Sequence, residues 1–278
     1  MTAEPDLVAR AAPTRRAGGV RALDAGNALS VPSPGLLAAR SSTWVVVFSG
    51  FFEPVFFLLA MGFGLGGFVG DITLASGRDV PYAAYIAPAL LAVSAMNGAV
   101  YDSTWNVFFK MHFGKLYQSM MATSLGPLDV ALGEIGYALL RGVVYATGFL
   151  TVMQLMGLNA SWPALLTLPA VLLIAVGFAS LGMAITSYMS TFQQMDWINI
   201  VLLPMFLFSA TLFPITVYPL PVQWLVQAMP LWHAVELVRG LTLGEAGWAT
   251  AVHVGYFLAM ASIGIVFTTR RLRALFLD

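Results

Sequence analysis

Long apolar runs, separated by short polar stretches, dominate the chain from residue 44 onward. A helix that crosses the hydrocarbon core of a bilayer needs about 20 apolar residues. Six segments reach or approach that length: 44–69, 82–105, 128–156, 163–188, 197–213 and 248–269. The pattern therefore predicts an all-α integral membrane protein with six transmembrane helices, of which the fifth is the shortest.

The stretch 214–243, between the fifth and sixth runs, contains four prolines: Pro214, Pro219, Pro221 and Pro230. At membrane depth, proline is tolerated only where neighbouring groups satisfy the freed backbone. The stretch is therefore predicted to form one or two short re-entrant or interfacial helices rather than a full span.

The loop between the second and third runs has a helical period of its own. Phe109, Phe113, Leu116 and Met120 recur at i, i+4, i+7 and i+11, whereas Lys110, Lys115, Gln118 and Ser119 fall on other faces. An amphipathic helix held between two membrane helices is suited to lie at the membrane surface and to meet a soluble partner. This pattern indicates a transporter subunit that is driven by another protein.

Basic residues orient the bundle, because loops on the cytosolic side carry an excess of Lys and Arg. With both termini inside, the inner segments hold Arg10, Arg15, Arg16, Arg21, Arg40, Lys110, Lys115, Arg270, Arg271 and Arg273, and the outer segments hold Arg78 and Arg239. We therefore predict a multi-pass protein of the bacterial inner membrane. It would have a cytosolic tail at 1–43, a membrane domain at 44–269 and a short basic C-terminus at 270–278.

Composition removes several function classes. The chain is 59% hydrophobic and 9% charged, with a mean hydropathy of +0.83, which is typical of membrane proteins. Its formal net charge of zero argues against a nucleic-acid partner. There is no cysteine, and the three histidines are scattered. A GxxxxGK[ST] phosphate loop is also absent, so we expect neither catalysis nor a cofactor in this chain alone.

Charged residues inside apolar runs are functional candidates, because each is unfavourable at the bilayer centre by roughly 2.5–3.5 kcal/mol. Asp102 lies near the inner end of the second run, Glu134 and Arg141 lie seven residues apart in the third, and Glu53 precedes a proline in the first. They could line a gate or a cytosolic entrance, or they could simply pair and fix helix packing. The predicted gate or translocation residues are Asn97, Asp102, Glu134, Arg141, Phe213 and Pro214.

Gly62, Gly66 and Gly70 form two overlapping GxxxG patterns at the end of the first run. This spacing permits close approach of helices. It fits either a dimer face or a contact within one chain.

Four blocks of the sequence resemble the type-2 ABC exporter permeases: 53–69, 85–111, 116–138 and 203–244. Within that family, the likeness is to permeases of nodulation lipo-oligosaccharide export, and daunorubicin-resistance permeases are more distant. The resemblance implies that residues 109–121 are the coupling helix, that 214–243 are external helices closing an outer gate, and that 28–42 form an interfacial connecting helix. The coupling residues would be Phe109, Lys110, Phe113, Lys115, Leu116, Tyr117, Gln118 and Met121.

The family also implies the assembly, in which two permeases and two ATP-binding subunits form the transporter, with ATP and Mg on the ATP-binding subunits. The two permeases could be identical or merely similar, and lipids would surround them. An exporter of lipid-linked, glycolipid or drug-like cargo is the leading interpretation. An ion-coupled or passive carrier that uses Asp102, Glu134 and Arg141 is the alternative. A membrane-embedded enzyme is disfavoured, because no cluster of His, Asp or Arg marks one membrane face.

Overall fold

The computed structural model describes residues 52, 55–74, 76–114, 116–122, 125–158 and 166–276, without the side chains of Phe63, Met121 and Arg141. The predicted tail at 1–43, the connecting helix at 28–42, Glu53 and Lys115 lie outside these residues. Of the basic C-terminus, residues 270–276 are described, and they continue the last helix.

Helices make up most of the described chain. They are α1 (Val55–Val69), α2 (Tyr82–His112), α3 (Leu116–Met121), α4 (Pro127–Leu155), α5 (Thr167–Thr186), α6 (Asp196–Phe208), α7 (Leu220–Ala228), α8 (Pro230–Leu243) and α9 (Trp248–Phe276). Among the described residues, α2, α4, α5 and α9 are long and apolar enough to cross a membrane, and α1 is a shorter apolar helix. The prediction of an all-α membrane protein is confirmed at this level.

Local sequence explains where several helices begin and end. At the start of α4, the Asp129 carboxylate accepts a hydrogen bond of 2.9 Å from the Gly126 amide, which satisfies a free donor of the first turn. Pro230 lies in the first turn of α8, where its missing N–H is not needed. Gly244 ends α8 in a left-handed conformation with φ 80°.

Helix α5 lies at the centre of the fold and packs against α2, α4 and α9. Glycines allow the closest approaches. A Cβ atom on Gly264 of α9 would lie 2.6 Å from the carbonyl carbon of Ser180 in α5, and one on Gly182 of α5 would collide with the Ser103 hydroxyl of α2. The α5 and α9 backbones therefore nearly touch at Gly264, and the α5 backbone lies directly against the Ser103 side chain of α2 at Gly182, so small residues fix the position of α5 in the bundle.

Two short strands connect α1 to α2. Strands β1 (Asp71–Thr73) and β2 (Asp79–Pro81) form an antiparallel hairpin in which Ile72 faces Val80. The hairpin is tied to the end of α8, because Arg78 donates to the Leu243 carbonyl and Ser76 donates to Glu245. Sequence periodicity did not indicate this hairpin.

Two predicted boundaries are wrong. The fifth run was expected to be helical over 197–213, but α6 ends at Phe208, and Ala210 has a positive φ of 55°. The amphipathic helix expected over 109–121 is two pieces, since Phe109–His112 belongs to α2 and a separate helix begins at Leu116. Gly114 lies in the break between them.

The GxxxG glycines of α1 divide into two groups. A Cβ atom on Gly62 would lie 3.1 Å from the Cβ of Ala83 in α2, whereas one on Gly66 or Gly70 would meet nothing within 4 Å. Gly62 therefore serves a contact within the chain.

Candidate coupling site

The end of α2 and the start of α3 expose an aromatic surface. The Phe109 and Phe113 rings lie 5.4 Å apart, and the exposed fractions of these side chains are 46% and 69%. Leu116 is 43% exposed at the start of α3. Gln118 is also exposed, so predicted coupling residues from both helices share one open surface.

A further aromatic residue extends this surface from a distant part of the chain. Phe192 lies in the one-turn 3-10 helix Phe192–Met195, which precedes α6. Its ring centroid is 6.2 Å from that of Phe109 and 5.4 Å from that of Trp105. We call Phe109, Phe113, Leu116 and Phe192 the coupling surface. Sequence reasoning missed Phe192, although an apolar residue among Ser190, Thr191 and Gln193 was a usable signal.

A partly buried ion pair lies next to the coupling surface. The Lys110 Nζ is 2.6 Å from Glu134 Oε2, and the Glu134 side chain is 7% exposed. Lys110 also lies 5.7 Å from the ring centroid of Tyr137. The ion pair therefore joins the inner end of α2 to α4.

Tyr117 brings α3 into the same cluster. Its side chain is fully buried, and it packs with Val107 of α2 and Val130 of α4. Burial raises the pKa of the Tyr117 hydroxyl well above its ordinary value, and the nearby negative charge of Glu134 raises it further. Lys110, Tyr117 and Glu134 thus connect three helices at a single point.

Asp102 lies elsewhere, at a widened π turn of α2 that covers Asp102–Asn106. The Asn106 side chain donates a hydrogen bond of 3.0 Å to Asp102 Oδ1. Asp102, Ser94 and Tyr145 contribute polar groups to a crevice between α2 and α4 whose other lining residues are mostly Ala and Gly. Asn97 is half-buried, but neither it nor Glu134 lines this crevice. Asp102, Asn97 and Glu134 therefore do not share this crevice.

At the opposite end of the bundle, Arg239 is the central charged group. Its Nη1 is 2.7 Å from Glu236 Oε1, and its guanidinium carbon lies 3.9 Å from the Tyr85 ring centroid. Nη2 also donates a hydrogen bond of 3.0 Å to the carbonyl of Ala210. Arg239 therefore ties α8 to α2 and to the bend after α6. It had been counted only as one of the two positive charges on the outer side.

Phe213 and Pro214, the other predicted gate residues, follow that bend. The Phe213 ring packs 5.4 Å from that of Tyr218, and Phe213 is partly exposed. Pro214 directly precedes the one-turn 3-10 helix Ile215–Val217. The predicted short helices of 214–243 correspond to α7 and α8. The side chain of Arg141 and that of the coupling candidate Met121 lie outside the described part, although their backbones belong to α4 and α3.

These features describe a helical membrane protein with an exposed aromatic surface at one end and a cap of two short helices, α7 and α8, at the other. The family model for ABC-2 type transporters matches residues 36–243. The chain belongs to the ABC-2 type transporter family and is a transmembrane subunit of an ABC transporter.

Curated relatives match this sequence over most of its length. Nodulation protein J of Rhizobium leguminosarum bv. viciae is 29% identical over 92% of this chain and 98% of that protein. Nodulation protein J of Sinorhizobium fredii is 33% identical over 73% of this chain and 76% of its own length. Nodulation protein J of Bradyrhizobium diazoefficiens is 30% identical over the same shares. The family implies an ATP-binding partner, so this chain is a transporter component rather than an enzyme.

Proposed function

We propose that the chain is the permease subunit of an ATP-driven exporter of lipid-linked, glycolipid or amphipathic drug-like cargo. In this proposal it crosses a bacterial inner membrane six times with both termini in the cytosol. Cargo leaves the cytoplasm or the inner leaflet. ATP and Mg bind to the partner subunit, which hydrolyses the ATP.

The coupling surface is the observation that supports this proposal. Phe113 is the most exposed of its residues, and large apolar side chains exposed together on a loop between membrane helices favour burial against a protein. Next to them, Lys110 pairs with Glu134, whose carboxylate also lies near the Tyr117 hydroxyl. A partner that moves the coupling surface therefore acts on α2 and α4 together, and its two nucleotide states need only differ in their contacts with this surface.

The second permease copy is proposed to pack against α1 and α6. Their aromatic contact, Phe57 with Phe206 at 6.0 Å, holds the two helices together. The outward faces of α6 are apolar: Trp197, Ile200, Val201 and Leu203 are each more than half exposed. Cargo would pass between the two copies. Homodimer and heterodimer both fit this surface.

An ion-coupled carrier has weaker support. A proton relay needs acidic groups that change charge along a continuous path. Glu134 is held in an ion pair by Lys110, and it does not line the crevice that contains Asp102. The two carboxylates thus belong to different local structures.

The test is co-expression with an ABC-type ATP-binding subunit from the same organism, followed by purification of the complex and an ATPase assay. Leu116→Glu, alone and together with Phe113→Glu, should reduce recovery of the complex at least severalfold, because a charge would face an apolar partner surface. Leu275→Glu is the matched control, since Leu275 is 41% exposed on the same proposed side of the membrane but lies outside the coupling surface. Equal recovery of all variants with the ATPase would refute the docking role.

A further inference from the structure

Two histidines from different helices meet at the capped end of the bundle. The Nδ1 atoms of His233 in α8 and His253 in α9 are 2.8 Å apart. The Tyr256 ring stacks on His233 with centroids 4.0 Å apart, and the Trp232 ring lies edge-on to both imidazoles. His253 is 7% exposed. This contact links the outer cap to a membrane-spanning helix through two ionisable rings.

The ionisable groups around the pair are few. On α8, Glu236 and Arg239 are bonded to each other, and the neighbouring group on α9 is the Tyr256 phenol. From α2, Tyr82 and Tyr85 approach this end of the bundle, and Tyr85 is engaged with Arg239. Helices α5 and α7 carry no ionisable side chain, and Glu245, beyond the end of α8, is bonded to Ser76. Among the described residues, the carboxylate nearest to the pair along α8 is therefore Glu236, one turn from His233, and its charge is already balanced by Arg239.

Hydrogen-bond chemistry limits how many protons the pair can carry. In the neutral pair, one Nδ1–H donates to the lone pair of the other Nδ1, whose ring carries its proton on Nε2. A first added proton goes to the free Nε2 of the donor ring and leaves the bond intact. A second can go only to the accepting Nδ1. That proton removes the lone pair, breaks the bond and places two positive rings in contact.

We propose that the His233–His253 pair is a pH-sensitive latch that holds α8 against α9 when it is neutral or singly protonated. Double protonation, at acidic pH on the outer side, releases the latch and loosens the cap. The assignment of this end to the outer side rests on the proposed orientation of the permease.

The direction of the pH effect follows from the closed state. Burial and, to a smaller extent, the neighbouring His253 lower the pKa of His233, the hydrogen bond with the Gln227 backbone opposes them, and the resulting pKa is about 4. A histidine that is exposed in an open cap titrates near 6.5. The open cap therefore binds more protons than the closed cap as pH falls below about 6.5. The latch is fully effective above that pH and weakens progressively towards about pH 4.

Because the chain has no cysteine, a single introduced thiol can report on the opening of the cap. Ala234 is fully buried in α8, and Ala246 is exposed just beyond it. A234C and A246C would be labelled separately from the outer side with a membrane-impermeant pyridyl disulfide at about pH 7.5 and about pH 4.5. EDTA would be present throughout, so that metal ions do not bridge the imidazoles. The ratio of the A234C rate to the A246C rate should rise severalfold at the lower pH.

Replacing both histidines by glutamine (H233Q/H253Q) should abolish this rise, because amides do not ionise. If that chain does not accumulate, H253Q alone serves, since one imidazole cannot form a doubly charged pair. A pH-independent ratio in the native pair, or an equal rise in the glutamine variants, would overturn the latch. The labelling assay needs neither the ATP-binding subunit nor cargo. Its result can therefore be interpreted even if the proposed docking role of the coupling surface is refuted. If A246C is not labelled from outside, the proposed orientation fails and the same comparison is made from the other side.

Discussion

Lys110 and Glu134 form an ion pair of 2.6 Å between α2 and α4, with the carboxylate almost completely buried and the ammonium partly exposed. Lys110 is adjacent in sequence to Phe109, which belongs to the coupling surface. Phe109 of the surface proposed to meet the partner and Lys110, which contacts the interior of the bundle, are therefore consecutive residues.

Removing one member of this pair should destabilise the protein. Lys110→Ala leaves the Glu134 carboxylate buried without its cation, which we expect to cost about 1–3 kcal/mol. The double change Lys110→Met with Glu134→Leu should cost less than the sum of its two single changes, because no charge is left unpaired. Thermal unfolding of the purified permease in detergent measures the double-mutant cycle. Strict additivity would show that the two groups do not interact.

Arg239 should contribute far more to stability than Arg78, the other arginine predicted to lie on the outer side. Arg239→Ala removes the ion pair with Glu236, the contact with the Tyr85 ring and the hydrogen bond to the Ala210 carbonyl. We expect the free energy of unfolding to fall by about 3–5 kcal/mol. Arg239→Lys should recover only part of it, because an ammonium cannot reproduce the planar fork. Arg78→Ala is the control, since Arg78 is exposed and its hydrogen bond is to a single carbonyl. Similar unfolding midpoints for Arg239→Ala and Arg78→Ala would contradict this role.

Two glycines of α9 should respond to alanine in opposite directions. At Gly264 the added methyl group meets the backbone of α5, so Gly264→Ala should destabilise by about 1–3 kcal/mol. At Gly255 it meets nothing within 4 Å, so Gly255→Ala should be neutral or stabilise by up to about 1 kcal/mol. The measurement is the unfolding midpoint of each variant, compared with that of the native protein. A neutral Gly264→Ala would mean that α5 and α9 separate easily.

Phe192→Ala should weaken association with the ATP-binding subunit while leaving the permease itself stable. Phe192 is 47% exposed, and its main ring contacts, Trp105 and Phe109, remain supported by α2. When the purified subunits are titrated against each other, the binding free energy should be weaker by about 1–2 kcal/mol, as for a moderate hot spot. Phe208→Ala, with a similar exposed fraction of 46% on the other end of α6, is the control. Equal affinities of both variants would exclude Phe192 from the interface.

Hydrophobic runs predicted the long helices well. The second run was expected to begin at residue 82, and α2 begins there, because a polar hairpin ends in proline just before it. The end of the apolar run predicts that the span ends at residue 105, whereas the helix continues to His112. Polar residues end an apolar run without ending a helix, since backbone hydrogen bonds continue into the solvent-exposed part.

The parts that sequence could not predict depend on contacts between distant residues. Arg239 looked like an exposed outer charge, because nothing local shows that Tyr85 and Ala210 would surround it. The split of the 109–121 segment arises at Gly114, which periodicity alone treats as any other residue. The second piece packs through Tyr117 and Met120 into a cluster that includes Val130 of α4, a contact that the local sequence does not reveal.

The π turn at Asp102–Asn106 also determines how α2 tolerates changes in length. Such a turn accommodates one extra residue without altering the rotational phase of the helix beyond it. Deleting one residue inside the turn would restore a regular α-helix and keep Lys110 directed at Glu134. The same deletion between Tyr82 and Tyr101 would rotate one half of α2 by about 100° relative to the other. The length of this helix is therefore adjustable at the π turn, and among proteins of this family we expect single-residue gaps in α2 to fall there.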